Sequence, residues 1–270
     1  MIGQPENVFV YLLQPIFRLP QPITRTNHKA PTHFQAAANL DYPHPFPHLP
    51  ATATSNPIHK TMHTIQDYLQ TQALRLNPEA IAIARAATQA IIAHGQALID
   101  RSILLPSHLA PTFAHQPQAE AQLKQLYMAL DSAHSQHPSQ TTALYGNHTP
   151  SQSLIRLIQH GAPIEDTLPL NEHHYWQHLA ARTAQSGWAQ IAPSTEQWLA
   201  NGELKGTHNR RSASQTSLPI SNEDGIVYGV LHLETPAPLS DDQLAHWIGV
   251  ALGIHRVLSQ LLPQAPSEEQ

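Results

Sequence analysis

The amino-acid sequence predicts an α+β fold, in which an antiparallel sheet is flanked by helices. Three observations predict it. Apolar residues recur at helical spacing up to about residue 139, they then follow strand periods in hairpin pairs, and a long amphipathic helix closes the chain. Strands joined by hairpins, with helices before, between and after them, are typical of a sheet covered by helices.

Residues 1–61 differ from the rest of the chain because prolines interrupt every apolar period. Proline fixes φ and has no N–H donor, so we expect a disordered, proline-rich leader here. The stretch YPHPFP at 42–47 can serve as a polyproline II ligand for another protein. A second interpretation is that Met62 is the true start and that the leader is not translated.

Residues 62–116 form a predicted N-terminal helical segment. Asn77 followed by Pro78 is a favourable helix start, with asparagine as N-cap and proline at the first helical position. We expect this helix to end near Asp100, and a proline-rich connector to reach residue 116. Its helically spaced residues are Ile81, Ala84, Thr88, Ile91, Ile92 and Leu98.

Residues 117–263 form the predicted main domain, which opens with a helix from Pro117. Segments 141–145 and 153–158 flank a Gly/Asn/Pro cluster and predict a hairpin. Asn171 is the predicted cap of one helix that ends at Gly187. A short strand at 188–191 and a capping-box helix from 194 follow.

Two further strands, 214–220 and 226–234, are predicted around the turn 222–225. The second strand is apolar on both faces, so we place it in the middle of the sheet. A capping box at 240–243 starts the closing helix. The last residues, 264–270, form a predicted polar tail.

These last elements resemble the final third of GAF domains. The resemblance rests on Leu218-Pro-Ile220, the glycine turn, Gly229-Val-Leu231 and the closing helix, within a segment of about half the chain. It implies a GAF-like sensory domain that binds a small molecule and does no chemistry itself. The Asn-Lys-Phe-Asp-Glu signature and cysteine are absent. Cyclic-nucleotide binders, thiol-linked bilin binders and the family's methionine-sulfoxide reductases are therefore disfavoured.

Six residues are predicted to bind the ligand. In a GAF frame the helix from Asn171 borders the cavity, and its aromatic residues are placed to line it. Two adjacent arginines form the one local basic concentration and predict an anion clamp. The structural alternatives are that the aromatic residues only pack in the core and that the arginines lie in a solvated loop. The six residues are Tyr175, Trp176, Arg210, Arg211, Gln215 and His232.

No metal or other cofactor is predicted. His174 and His178 have the i,i+4 spacing of a chelating pair on one helix face, but the sequence identifies no third ligand.

Composition limits the partners. The net charge of −5, with 14 Lys+Arg, does not favour nucleic acid. No apolar stretch approaches the ~20 residues of a membrane span. The absence of cysteine is typical of a cytoplasmic, soluble protein. A homodimer through the N-terminal and C-terminal helices is a further expected partner.

The leading functional hypothesis is a non-catalytic sensor that binds a small molecule and signals in trans to a partner or dimer mate. The alternative is a structural dimerisation module without a ligand, and the third is a cysteine-free enzyme of unrecognised type. A pocket of a few hundred Å³ near Trp176, reached by Arg210, would favour sensing. A cavity filled by side chains would favour the structural module.

Overall fold

The computed structural model describes residues 57–263. The leader up to residue 56 and the tail 264–270 lie outside the described residues. Helix α1 (Pro57–Thr71) begins inside the segment that we expected to be disordered up to residue 61. The division of the chain into leader, helical segment, domain and tail stays a prediction.

The helices lie before, between and after the strands. No helix in the described part of the chain is long and apolar enough to cross a membrane. After α1 the helices are α2 (Pro78–His94), α3 (Arg101–Leu104), α4 (Ala110–Phe113), α5 (Ala119–Gln136), α6 (Glu172–Gln177), α7 (Leu179–Ser186), α8 (Thr195–Ala200) and α9 (Asp241–Leu261).

Six strands form one sheet in the order β3-β2-β1-β6-β5-β4, and every neighbouring pair is antiparallel. The α+β fold class is therefore confirmed. Both predicted hairpins are present, and β6 lies inside the sheet as its two apolar faces predict. The strands are β1 (Thr141–His148), β2 (Ser153–Gly161), β3 (Thr167–Pro169), β4 (Gln190–Ala192), β5 (Ser214–Ser221) and β6 (Val227–Thr235).

Two predicted helices are wrong in their extent. Helix α2 ends at His94 rather than near Asp100, because Gly95 adopts an extended conformation (φ −63°, ψ 140°) after it. Leu98 is consequently fully exposed. The single helix expected between 171 and 187 is two helices, because His178 between them is extended (φ −133°, ψ 119°).

Helices α5 and α9 pack on one face of the sheet, and α2 packs on α9 and α5. Leu231 and Leu233 of β6 belong to the same core as Trp247 and Ile254 of α9, and all four are fully buried. Helix α2 packs closely on α9 within one chain, so these two helices bury apolar surface against each other. The homodimer that we expected through them stays a prediction.

Helices α6, α7 and α8 lie on the other face of the sheet. There Tyr145 and Val230 pack against Ala180 of α7. Gln72, just after α1, bridges to this side of the sheet. Its amide nitrogen donates to the carbonyl of Gly187 (3.1 Å), and its oxygen accepts from the backbone N–H of Ala189 (2.6 Å).

His246 on α9 predicts a pH-dependent stability. Burial and the neighbouring His137 lower the pKa of His246 to about 4, whereas a histidine in the unfolded chain titrates near ~6.5. As the pH is lowered, His246 therefore takes up a proton in the unfolded chain before it does so in the folded chain. The free energy of unfolding consequently decreases as the pH falls from 6.5 to 4. We expect His246→Phe to flatten the slope of unfolding free energy against pH by up to about 1 kcal/mol per pH unit.

Urea unfolding at a series of pH values measures this slope, and the exposed His115→Phe is the matched control. Equal slopes for His246→Phe and the unmodified chain would contradict the assignment.

Candidate functional site

Polar side chains gather on the α7 side of the sheet, where β5 lies beside β6. Gln215 pairs with Glu234 across the two strands, and Ser217 pairs with His232. Because alternate residues of a strand point to the same face, all four side chains share one face. All four residues are buried, in a position where apolar side chains usually form the core.

Arg211 is the centre of this group. Its Nε donates to both carboxylate oxygens of Glu234, at 2.8 and 3.0 Å. Its Nη1 and Nη2 donate to the two oxygens of Glu165, at 3.3 and 3.2 Å. One guanidinium thus holds two carboxylates, in the fork geometry that suits arginine. We call Glu165, Arg211, Gln215, His232 and Glu234 the Arg211 cluster.

The cluster has a buried side at Glu234, which we call its floor, and a solvent-facing side at Arg211 and Glu165, which we call its mouth. The Glu234 side chain is 1 % exposed, whereas the side chains of Arg211 and Glu165 are 27 % and 32 % exposed. Glu165 lies in the loop between β2 and β3, and Arg211 ends a 3-10 turn, Thr207–Arg211, before β5. A solute arriving from water therefore meets the pair of Glu165 and Arg211 first.

Both carboxylates are ionised at neutral pH. Burial raises the pKa of Glu165, but hydrogen bonding to Arg211 and the charge of Arg211 outweigh it and hold that pKa at about 2. Burial likewise raises the pKa of Glu234, and His232 and Arg211 lower it below its usual value. Glu165 and Glu234 raise the pKa of Arg211 further, against its burial. Two carboxylates therefore face one guanidinium.

The neighbouring polar groups are also paired. The side-chain amide of Gln215 donates to Asn209 (3.1 Å) and to Ser212 (3.2 Å). The Tyr145 hydroxyl donates to the backbone carbonyl of Glu165 at 2.8 Å. These hydrogen bonds fix both loops of the mouth against the sheet.

Ser217, His232 and Glu234 follow one another in the order of a catalytic triad. Ser217 Oγ lies 2.6 Å from His232 Nδ1, and His232 Nε2 lies 3.7 Å from Glu234 Oε1. The second distance is too long for a hydrogen bond. Ser217 is also completely buried, so its hydroxyl is not accessible to a substrate in this conformation. Ser217 and His232 can share a proton, but Ser217 is not placed as a nucleophile.

The space left within the cluster is small. A cavity of about 10 Å³ lies between the loops and the sheet, at the lower limit for a single water molecule. The pocket of a few hundred Å³ that would favour sensing is not open in this conformation. The cavity is lined by Tyr145, Ile164, Glu165, Leu168, His178, Leu179, Ala180, Asn209, Arg211, Gln215 and His232.

The structure brings together Arg211, Gln215 and His232 of the six predicted residues, and it places the other three elsewhere. Since the chain breaks at His178, the rings of Tyr175 and Trp176 lie over the guanidinium of Arg182, at 5.2 and 5.3 Å. Arg210 is exposed, because successive residues of a 3-10 turn point about 120° apart. These three residues do not line the cavity.

Sequence reasoning missed Glu165, Glu234, Asn209 and Tyr145. One signal was available: Glu234 has the same strand parity as His232, in a strand that is otherwise apolar. For Glu165 there was none, because its position depends on how the loop after β2 folds back over the sheet.

Three features identify the fold. They are the strand order of the sheet, its two long hairpins and the helix layer formed by α2 and α9. This chain has a GAF-like fold. The GAF domain of Acinetobacter phosphoenolpyruvate-protein phosphotransferase is similar, at 10 % identity over 69 % of this chain and 96 % of that chain, with a TM-score of 0.47. A putative GAF sensor protein from Burkholderia vietnamiensis is similar at 13 % identity over 69 % and 98 %, with a TM-score of 0.46.

Enzymes are also among the proteins of similar structure. The reduced form of the free methionine-R-sulfoxide reductase of Staphylococcus aureus is similar at 14 % identity over 68 % of this chain and 96 % of that chain, with a TM-score of 0.45. Our prediction that the domain does no chemistry is therefore wrong, because it was based on the GAF fold and that fold includes enzymes. No family model and no curated protein matches the chain.

Proposed function

We propose that the GAF-like domain binds a small molecule at the Arg211 cluster and signals its presence in trans. The observation that supports this is the buried Glu234, joined through Arg211 to the partly exposed Glu165. Stability alone is a weak reason to bury such charges, because desolvation of the ions offsets much of their attraction. Clusters of perturbed ionisable groups in a cleft are typical of functional sites.

The charges of the cluster suggest the class of ligand. Since two carboxylates face one guanidinium, a ligand that carries an ammonium or amidinium group would balance the remaining negative charge. Such a cation would approach Glu165 from the solvent, while Arg211 kept both hydrogen bonds to Glu234.

Binding requires the mouth to open. The cavity of about 10 Å³ is far below the several hundred Å³ that organic ligands usually occupy. Glu165 and Arg211 both lie on segments between regular elements, so their separation leaves the sheet unchanged. The ligand would thus select an open form of two loops.

Helix α7 connects the Arg211 cluster to the helices on the other side of the sheet. Leu179 and Ala180 of α7 line the cavity, and Gly187, which ends α7, is hydrogen-bonded to Gln72. A shift of α7 would therefore reach the segment between α1 and α2. We propose that a partner or a second copy of the chain senses this shift.

A thermal-shift screen with small amines, zwitterions and carboxylates tests the proposal, because a ligand that binds only the folded state raises the unfolding midpoint. We expect an amine-bearing compound to raise the midpoint of the unmodified chain and of the exposed control Glu172→Gln, but not of Glu165→Gln. Mass spectrometry of the recovered compound separates sensing from turnover. If no compound of any class raises the midpoint, the structural module without a ligand is favoured.

A further inference from the structure

Three potential metal ligands meet at the mouth of the Arg211 cluster. They are Glu165 in the loop after β2, His178 at the break between α6 and α7, and His208 in the turn before β5. One ligand atom from each lies within 4.8 Å of the other two. All three residues are partly buried, and they come from separate segments of the chain.

One ring nitrogen of His208 already has a hydrogen-bond partner, which leaves the other as the candidate ligand atom. Its Nε2 lies 3.1 Å from the carbonyl oxygen of Gln177. A carbonyl only accepts, so Nε2 carries a proton, and in the neutral ring Nδ1 is the nitrogen with a free electron pair. Metal-binding histidines almost always donate their other N–H to a carbonyl or carboxylate in this way.

Gly206 leaves room for this ring. A Cβ at Gly206 would lie 2.5 Å from Cε1 and 2.8 Å from Nδ1 of His208, and Gly206 has a φ of +92°. Any other residue there would displace the imidazole.

The charge state also suits a cation. Burial and the neighbouring His208 lower the pKa of His178 to about 4, so its ring is neutral at pH 7 and available as a ligand. Glu165 is ionised, and the cluster carries one carboxylate more than its guanidinium balances. A bound cation would offset that charge.

We propose that Glu165, His178 and His208 form a site for one divalent transition-metal ion, with a fourth position open to water or another ligand. Two imidazoles and one carboxylate are the donor set that suits zinc, cobalt or ferrous iron rather than magnesium. The metal proposal does not depend on the proposed organic ligand, although the metal and an amine would both bind Glu165.

Binding requires a small contraction. In a tetrahedral shell with bonds of about 2.0–2.1 Å, ligand atoms lie roughly 3.4 Å apart, so separations of up to 4.8 Å here must shorten by at most roughly 1.4 Å. The rings of His178 and His208, now stacked with centroids 4.5 Å apart, must therefore tilt toward a common point. Glu165 shares its carboxylate with the metal, while Arg211 remains bound to Glu234.

Equilibrium dialysis of the chelator-treated full chain against Zn²⁺, and the visible absorption of bound Co²⁺, test the site. We expect one equivalent of tightly bound metal, a tetrahedral Co²⁺ spectrum that Zn²⁺ abolishes, and a metal-dependent rise in the unfolding midpoint. His178→Gln and His208→Gln should each weaken binding at least about 10-fold. His173→Gln, which removes an exposed histidine of α6, should leave it unchanged.

Unfolding midpoints without metal show whether the variants fold as the unmodified chain does. Absence of a tight equivalent, or equal binding by His178→Gln, His208→Gln and His173→Gln, overturns the proposal. These two outcomes would not decide the proposal of an amine ligand. That proposal is tested by the thermal-shift screen with Glu165→Gln in metal-free buffer.

Discussion

Arg211→Met is expected to lower the free energy of unfolding by about 3 kcal/mol, the largest effect of any single polar substitution that we consider. Methionine is close in length to arginine but carries no charge. The substitution leaves Glu234, whose side chain is 1 % exposed, without its two hydrogen bonds from the guanidinium. A buried carboxylate that loses its counter-charge must either protonate or draw in water, and both are unfavourable.

Arg210→Met is the matched control, because the adjacent arginine is exposed. Its expected effect is within about 0.5 kcal/mol. Chemical denaturation of both variants at pH 7 measures the difference. A double variant, Arg211→Met with Glu234→Gln, should recover part of the loss, since it removes the unpaired charge. Equal stability of the two single variants would show that the ion pairs of Arg211 do not stabilise the fold.

Gly249→Val is expected to lower the free energy of unfolding by about 2 kcal/mol. Gly249 lies where α9 packs on α2. A Cβ there would lie 2.5 Å from the Cβ of Ala84, 2.7 Å from the carbonyl oxygen of Ile81 and 2.8 Å from the backbone nitrogen of Arg85. Since two of these atoms are backbone, the helices must separate, and the gain in helix propensity over glycine, about 0.5 kcal/mol, is too small to compensate.

Gln260→Val is the control, because it places the same β-branched residue at an exposed position of α9. Thermal and urea unfolding at two protein concentrations measure both variants. If Gly249→Val is as stable as Gln260→Val, the close packing of α2 on α9 is not the native arrangement. If its loss of stability changes with protein concentration, the two helices pack between subunits instead of within one.

The elements that the sequence predicts well are those specified by local signals. The closing helix has a complete capping box, in which Ser240 and Gln243 exchange hydrogen bonds, and α9 begins there as expected. The hairpin of β5 and β6 forms around a turn rich in Asn, Asp and Gly, and both strands begin and end within one residue of the predicted bounds. Such local preferences agree with the global fold, so they can be read without tertiary information.

The site could be predicted only in part, because it depends on long-range placement. Arg210 and Arg211 have the same sequence context, and only the turn before β5 decides which of them faces the sheet. Asn171 caps a helix as predicted, but the break at His178 redirects Tyr175 and Trp176 toward Arg182. Glu165 follows β2 by four residues and meets Arg211 across 46 residues of sequence, a contact that no sequence period specifies.

Arg211 is the centre of the proposed ligand site. The resonance of its Nε–H tests this most directly, because that group donates to Glu234 on the floor of the cluster. In ¹H–¹⁵N spectra of the arginine side chains, an amine-bearing compound from the thermal screen should shift the Arg211 Nε–H signal in a saturable manner and leave Arg210 unchanged. A compound that stabilises the protein while the Arg211 signal stays in place would contradict the account.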